Sequence, residues 1–146
     1  PGMRVKDARQ TFLGIWVRQL LEGMPIKVFG DGEQLRDFNY VDDCVNVLLL
    51  AGASEQANGK VYNLGSPEVI GLKALAEKIV SLGFGGSYEL VPFPEERKAI
   101  DIGDYYSDFS LISMELGWLP EVNLQKGLLD TIEYYSKHKS AYWGET

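Results

Sequence analysis

Residues 28–43 read VFGDGEQLRDFNYVDD, and this stretch decides how the chain is interpreted. It places Asp31-Gly32 between two runs of alternating apolar residues, a pattern that predicts a β-hairpin because this dipeptide tolerates the positive φ of a tight turn. The second run carries Arg36 beside large apolar side chains, where a permanently charged guanidinium is suited to bind a carboxylate or phosphate through two hydrogen bonds. On spacing alone, the favoured interpretation is a surface charge or a structural pair with Asp37 or Asp42.

Composition limits the class of protein. The 146 residues are 45% hydrophobic and contain no apolar run of membrane-spanning length, which predicts a soluble domain with a real core. The net charge of −7 argues against a nucleic-acid surface, since phosphate backbones need clustered cations. Cys44 is the single cysteine and cannot form an internal disulfide, which is typical of a reducing, cytoplasmic location.

Hydrophobic periodicity predicts alternating helices and short strands, hence a small mixed α/β unit whose sheet needs a partner sheet to complete it. Asp42 or Asp43 is the predicted N-cap of the helix after the hairpin, and Asp108 or Ser110 that of a short helix ending at Gly117. The predicted helices cover residues 8–21, 45–51, 72–82, 108–117 and 124–138, and the strands beyond the hairpin cover 61–64 and 88–92.

Several phrases in the same order resemble one family. They are residues 25–30 (PIKVFG), 29–43 (FGDGEQLRDFNYVDD), 62–66 (YNLGS) and 115–120 (ELGWLP), followed by Gly127-Leu128 in the closing helix. Together they resemble the extended short-chain dehydrogenase/reductases, the NAD-dependent nucleotide-sugar epimerases and dehydratases, from Pro1 to about Tyr135. The resemblance implies a mixed α/β fold, the small carboxyl-terminal substrate-binding domain of such an enzyme, without the Rossmann nucleotide-binding core.

The family's chemistry depends on an amino-terminal glycine-rich dinucleotide loop and on a catalytic Tyr-x-x-x-Lys pair, and neither is assigned in this chain. Gly83-Phe-Gly-Gly86 follows a helical pattern instead of a strand. Tyr134 and Tyr135 stand three and two residues before Lys137. Pro1-Gly2-Met3-Arg4 resembles the end of a family segment that follows the nucleotide-binding core. We therefore expect residues 1–146 to be a single carboxyl-terminal domain, inactive alone, with NAD bound by an amino-terminal domain that this sequence lacks.

The resemblance implies seven residues that bind a nucleoside-diphosphate sugar. Arg36 aligns with the family's diphosphate-binding arginine, which reverses the preference stated above. Arg97 lies where a second such arginine often stands, with Lys98 or a solvated loop charge as alternatives. The full set is Arg36, Arg97, Phe29, Lys27, Phe12, Leu13 and Tyr105.

The other five residues of that set are implied to surround the nucleotide. Lys27 and Phe29 match strand positions that hold the base, partly through backbone groups. Phe12 and Leu13 match the start of a helix that packs on the nucleotide, and Tyr105 lies near the base or ribose. Ordinary packing is an open alternative for four of these residues: Phe29, Phe12, Leu13 and Tyr105. No metal site, catalytic residue, nucleic-acid partner or membrane contact is predicted.

The resemblance thus implies an NAD-dependent epimerase or dehydratase for the whole enzyme, for example one like UDP-glucose 4-epimerase, with homodimerisation as one option. A stand-alone nucleotide-sugar binding module without redox chemistry is the alternative, and an oligomerisation domain is a third. The nucleotide, the sugar and the choice among epimerisation, dehydration, decarboxylation and reduction are left open.

Overall fold

The computed structural model describes residues 12–95 and 101–143. The chain folds into two compact units. Among the described residues, the first unit comprises residues 12–33, 71–95, 101 and 128–143, and the second unit comprises residues 34–70 and 102–127. A single domain over residues 1–146 stays a prediction.

Helices and short strands alternate along the chain, which confirms the predicted mixed α/β class. The helices are α1 (Phe12–Leu21), α2 (Val41–Ala53), α3 (Leu72–Ser81), α4 (Ser110–Leu116), α5 (Leu124–Lys137) and α6 (Lys139–Trp143), with a 3₁₀ turn at Glu55–Ala57. The strands are β1 (Ile26–Phe29), β2 (Leu35–Arg36), β3 (Ile70–Gly71) and β4 (Tyr88–Val91). Within the described residues, no helix is both long enough and apolar enough to cross a membrane.

The first unit is built on a parallel pair of strands. β1 pairs with β4 from Ile26 opposite Tyr88 to Phe29 opposite Val91. Ile26 and Val28 are fully buried and Lys27 is exposed, so β1 shows the period-two alternation of a strand covered on one face. Helix α3 follows its prediction closely, with four apolar side chains on its buried face: Leu72, Leu75, Ala76 and Ile79.

The predicted hairpin is wrong, although the turn exists. β1 pairs with β4 and β2 pairs with β3, so the two runs that flank Asp31-Gly32 belong to different sheets. Gly32 has a φ of 73°, and its carbonyl accepts the Lys73 N–H at 2.9 Å. A Cβ on Gly32 would lie 2.8 Å from the Lys73 Cβ. The glycine therefore serves a close approach to the start of α3 rather than a two-residue hairpin loop.

The predicted strand over residues 61–64 is also wrong. Tyr62 and Leu64 pack on the core of the second unit, whereas Val61 is 85% exposed. The segment therefore keeps the alternating burial of a strand, but it is assigned no strand within the described residues. Strand classification requires a hydrogen-bonded neighbour as well as an alternating pattern, and the pattern alone led to the prediction.

The core of the second unit is formed by Val47, Ile112 and Trp118, with Phe109 set edge-on to Trp118 at 6.1 Å. Gly117 ends α4 with a φ of 68°, as predicted.

Neither predicted N-cap is correct. Phe109 occupies the cap of α4, and Asp108 Oδ1 accepts the Ser110 N–H at 2.8 Å. Hydrogen bonds from the Ser110 side chain and, to a lesser extent, from its N–H lower the pKa of Asp108. Helix α2 begins at Val41 after Tyr40, so Asp43 lies inside its first turn.

Asp43 instead joins two distant segments of the second unit. Its side chain is 2% exposed, and its two carboxylate oxygens accept the N–H groups of Glu121 and Val122, each at 3.1 Å. The carboxylate therefore satisfies two backbone donors that would otherwise lack a partner where the segments pack.

We expect Asp43→Asn to lower the free energy of unfolding by about 1–3 kcal/mol, because an amide offers one oxygen for two backbone donors and leaves one unsatisfied. Urea denaturation measures this change. Asp42→Asn removes the same charge from the exposed neighbouring position, and we expect it to change stability by less than about 0.5 kcal/mol. Equal losses for the two variants would contradict the role given to Asp43.

Candidate functional site

The structure divides the predicted site residues between the two units. Arg36 and Tyr105 lie in the second unit, and Phe12, Leu13, Lys27 and Phe29 lie in the first. Arg97, together with its alternative Lys98, lies outside the described residues.

Arg36 on β2 is anchored through one nitrogen. Its Nη1 donates to the carbonyl oxygens of Leu35 at 2.7 Å and Gly103 at 2.5 Å. Its backbone forms a parallel bridge with Tyr105. Across residues 12–95 and 101–143, no carboxylate forms an ion pair with Arg36, so the structural pair with Asp37 or Asp42 is not made. The arrangement orients a guanidinium while leaving its charge for an anion.

Backbone hydrogen bonds and two carboxylates fasten the segment around Gly103 to β2. The Leu35 N–H donates to Asp104 Oδ1 at 2.8 Å, and the Tyr105 N–H donates to the Leu35 carbonyl at 3.0 Å. The Ser107 N–H donates to Asp37 Oδ2 at 3.2 Å. Sequence reasoning missed these partners, since the contacts between residues 35–37 and 103–107 have no local signal. The adjacency of Asp37 to Arg36 was the one available hint.

In the first unit, α1 covers the outer edge of β1. Trp16 Nε1 donates to the Lys27 carbonyl at 3.1 Å, and the Lys27 N–H donates to Gln19 Oε1 at 3.4 Å. Phe12 packs edge-on against Trp16 at 5.0 Å. The backbone groups of Lys27 are therefore engaged within the chain, whereas its side chain is exposed.

Phe29 lies at the end of β1, beside Phe93 at a ring separation of 5.8 Å. Leu13 is half-buried on the first turn of α1. Phe12, Leu13 and Phe29 are all partly exposed, so each combines packing with an accessible face.

Tyr135 and Lys139 have the spacing of a Tyr-x-x-x-Lys pair. The prediction that the chain contains no such pair is therefore wrong, because it compared these tyrosines only with Lys137. Tyr135 is fully buried, and its ring contacts those of Tyr142 at 4.8 Å and Trp143 at 6.2 Å. Lys139 Nζ donates to the Leu21 carbonyl. These contacts tie the end of the chain to the first unit, so the pair has a packing role.

A small charged cluster joins the 3₁₀ turn region to α4. Glu115 accepts hydrogen bonds from Lys60 Nζ at 2.7 Å and from the Tyr62 hydroxyl at 2.6 Å. These two bonds lower the pKa of Glu115, that from Lys60 having the larger effect. The bond to Glu115 raises the pKa of Tyr62 to about 12. The cluster therefore favours ionised Glu115 and neutral Tyr62.

Comparisons with known proteins agree on one family. Residues 1–65 match the profile of the NAD dependent epimerase/dehydratase family. The chain is 32% identical over 128 residues to dTDP-glucose 4,6-dehydratase of Streptomyces griseus, covering 88% of this chain and 38% of that protein. It is 34% identical over 142 residues to UDP-glucuronic acid decarboxylase 1 of Xenopus tropicalis, and this match covers 94% of this chain and 31% of that protein.

The chain also matches the solved structure of an enzyme whose name refers to a nucleotide sugar. UDP-glucose 4-epimerase of Thermotoga maritima, determined with UDP-glucose, matches with a TM-score of 0.72 and 30% identity, over 88% of this chain and 40% of that one. The chain thus spans about two fifths or less of the length of these relatives. Their reactions differ, while all three names refer to a nucleotide sugar.

The Glu115 cluster should make the thermal stability of the protein depend on pH in the acidic range. Because the pKa of Glu115 is lowered in the folded state, its contribution is present above the ordinary value of 4.5 and is lost as the pH falls through the folded pKa. We expect wild type to melt at a higher temperature than Glu115→Gln at pH 7, and the difference to shrink below pH 4.5. Thermal melts at both pH values, with exposed Glu89→Gln as the control, measure this. A constant difference would contradict it.

Proposed function

We propose that this chain, which belongs to the NAD-dependent epimerase/dehydratase family, binds the nucleoside diphosphate of a nucleotide sugar, and that Arg36 contacts the diphosphate. The proposal rests on how Arg36 is held and on its unneutralised charge. Its Nη1 is held by two carbonyl oxygens, while no carboxylate in the described part of the chain neutralises it. A guanidinium held in this way can offer its remaining N–H groups to phosphate oxygens at little further entropic cost.

The remaining site residues are proposed to hold the nucleotide. Lys27, Phe29, Phe12 and Leu13 supply an exposed cation and three partly exposed apolar side chains within the first unit, a combination suited to a base. Tyr105, bridged to Arg36, is proposed to lie near the base or ribose. Arg97 is proposed as a second diphosphate contact.

NAD is proposed to bind outside this chain. Its diphosphate would require a glycine-rich turn that leads from a strand into a helix. The cluster at Gly83–Gly86 lies between α3 and β4, in the opposite order. Gly86 has a φ of 93°, and a Cβ there would lie 2.9 Å from Leu20 Cδ1, so backbone conformation and packing account for this glycine. The residues of this cluster therefore do not fit the cofactor, and the redox chemistry is proposed to reside in a part of the enzyme that this sequence does not contain.

Helix α2 supports the proposal of a larger enzyme. Asp43 and Val47 are buried within the second unit, yet Leu48 is 70% and Leu49 68% exposed. Apart from Asp42 and Asp43, the helix carries no charged side chain. A helix that exposes several large apolar side chains in addition to its buried face is typical of a position covered by further protein. We propose that its outer face packs against the part of the enzyme that precedes this chain.

The role of Arg36 predicts a selective loss of affinity. We expect Arg36→Ala to weaken the binding of UDP or dTDP to the full-length protein by roughly tenfold to a hundredfold, since hydrogen bonds to charged groups contribute about 1.5–3 kcal/mol. Isothermal titration calorimetry measures this. Uridine and thymidine lack the diphosphate and serve as control ligands, with affinities that should not change. Unchanged UDP and dTDP affinities would refute the proposal.

Because the outer face of α2 is proposed to be covered in the full-length protein, a substitution there should affect the stability of that protein more than that of the isolated chain. We expect Leu48→Ala to change the stability of the isolated chain by less than about 0.5 kcal/mol, and to destabilise the full-length protein by about 2–5 kcal/mol. Denaturant unfolding of both proteins measures this. Val47→Ala, at a buried position, should destabilise both. If Leu48→Ala has the same small effect in each, the face is not covered by the preceding part, and the stand-alone binding module becomes the better interpretation.

A further inference from the structure

We propose that Asp37 is a positioning residue for Arg36, acting through the segment of residues 103–107 that supplies one of the two carbonyl anchors of the guanidinium. This inference rests on the proposed function of Arg36. All of the residues involved belong to the second unit.

The position of the guanidinium depends on Gly103. Arg36 Nη1 is shared between the Leu35 carbonyl, which is fixed by its own strand, and the Gly103 carbonyl, which is 67 residues away in sequence. Gly103 has a φ of 64°, in the left-handed region that favours glycine. Its carbonyl can anchor Arg36 only while the segment that contains it stays beside β2.

Asp37 fastens the far end of that segment. Its Oδ2 accepts the Ser107 N–H and the Ser66 N–H, both at 3.2 Å. One carboxylate oxygen therefore joins the residue after Arg36 to the segment of residues 103–107 and to the segment that follows residues 61–64. The nearer end of the segment is held by the bond from the Leu35 N–H to Asp104 and by the bridge between Arg36 and Tyr105.

Gly65 makes room for this junction. A Cβ on Gly65 would lie 2.5 Å from the Ser107 carbonyl oxygen and 3.1 Å from Asp37 Oδ2. Gly65 does not have a positive φ, so it is the space beside it that excludes a side chain. Absence of a side chain at residue 65 thus lets residues 66 and 107 both reach the same carboxylate oxygen.

Asp37 influences the affinity for an anion in two ways, and the two effects have opposite signs. As a negative charge next to Arg36, Asp37 would repel a diphosphate, so removing the charge would raise affinity. As a positioning residue, it holds the segment that orients Arg36, so removing the carboxylate would lower affinity. Because both N–H groups donate to a single oxygen, Asp37→Asn can retain both bonds without the charge, whereas Asp37→Ala loses both.

The test is a double-mutant cycle on the full-length protein, with UDP affinity measured by calorimetry. We expect Asp37→Ala to weaken UDP binding by roughly threefold to thirtyfold. Asp37→Asn keeps both hydrogen bonds and removes the repulsive charge, so it should leave UDP affinity unchanged or raise it. Neither variant should weaken UDP binding further in an Arg36→Ala background. Asp43→Asn is the matched control, because it disturbs a carboxylate that also accepts two backbone N–H groups in the same unit. It should lower the melting temperature without changing UDP affinity.

Unchanged or increased UDP affinity in Asp37→Ala would overturn the inference, and so would an equal loss in the Arg36→Ala background. A second readout separates this inference from the proposed function. In protein labelled with ¹⁵N-arginine, Asp37→Ala should increase the fast motion of the Arg36 Nε–H group and Asp43→Asn should not. If Arg36→Ala leaves UDP affinity unchanged, the proposed function fails, and the Arg36 signal then decides the positioning role alone: increased motion supports it and unchanged motion overturns it.

Discussion

Carboxylate oxygens that accept backbone N–H groups are the interaction on which the second unit depends. Its strands are two residues long, so regular ladders satisfy few of the backbone donors that packing removes from water. Asp37, Asp43, Asp104 and Glu68 supply acceptors instead, and each reaches a residue at least 29 positions away in sequence. The apolar core of this unit is small, and these polar links determine which coil segments lie beside which.

The same construction explains how a charged side chain can be oriented without being neutralised. A carboxylate partner would fix Arg36 but would also cancel its charge, whereas carbonyl oxygens fix it through dipoles and leave the net charge in place. The carboxylates nearby are occupied by backbone N–H groups rather than by the guanidinium. Acidic residues thus contribute to the proposed anion site by holding in place the backbone around Arg36.

Patterns in the sequence correctly predicted those features that depend on residues close together along the chain. The apolar periodicity of α3 and the glycine end of α4 were correct because propensity and burial determine them within one turn or two. The hairpin at Asp31-Gly32 was wrong because a turn residue does not say which strand will pair with which, and the Gly32 carbonyl is bound to α3. Asp43 was mistaken for a cap since its partners lie 78 and 79 residues away. For the site, Arg36 was identified through family resemblance, whereas Gly103 and Asp37 required three-dimensional contacts.

The edge of β1 has a consequence for how the chain behaves among its own copies. An exposed strand edge presents alternating donors and acceptors that can pair with a strand of another molecule and begin an aggregate. Trp16 and Gln19 engage the Lys27 carbonyl and N–H with side-chain groups, which cannot propagate a ladder. Helix α1 therefore covers this edge, and the indole and amide that bond to Lys27 leave its backbone groups unavailable for strand pairing with another copy of the chain.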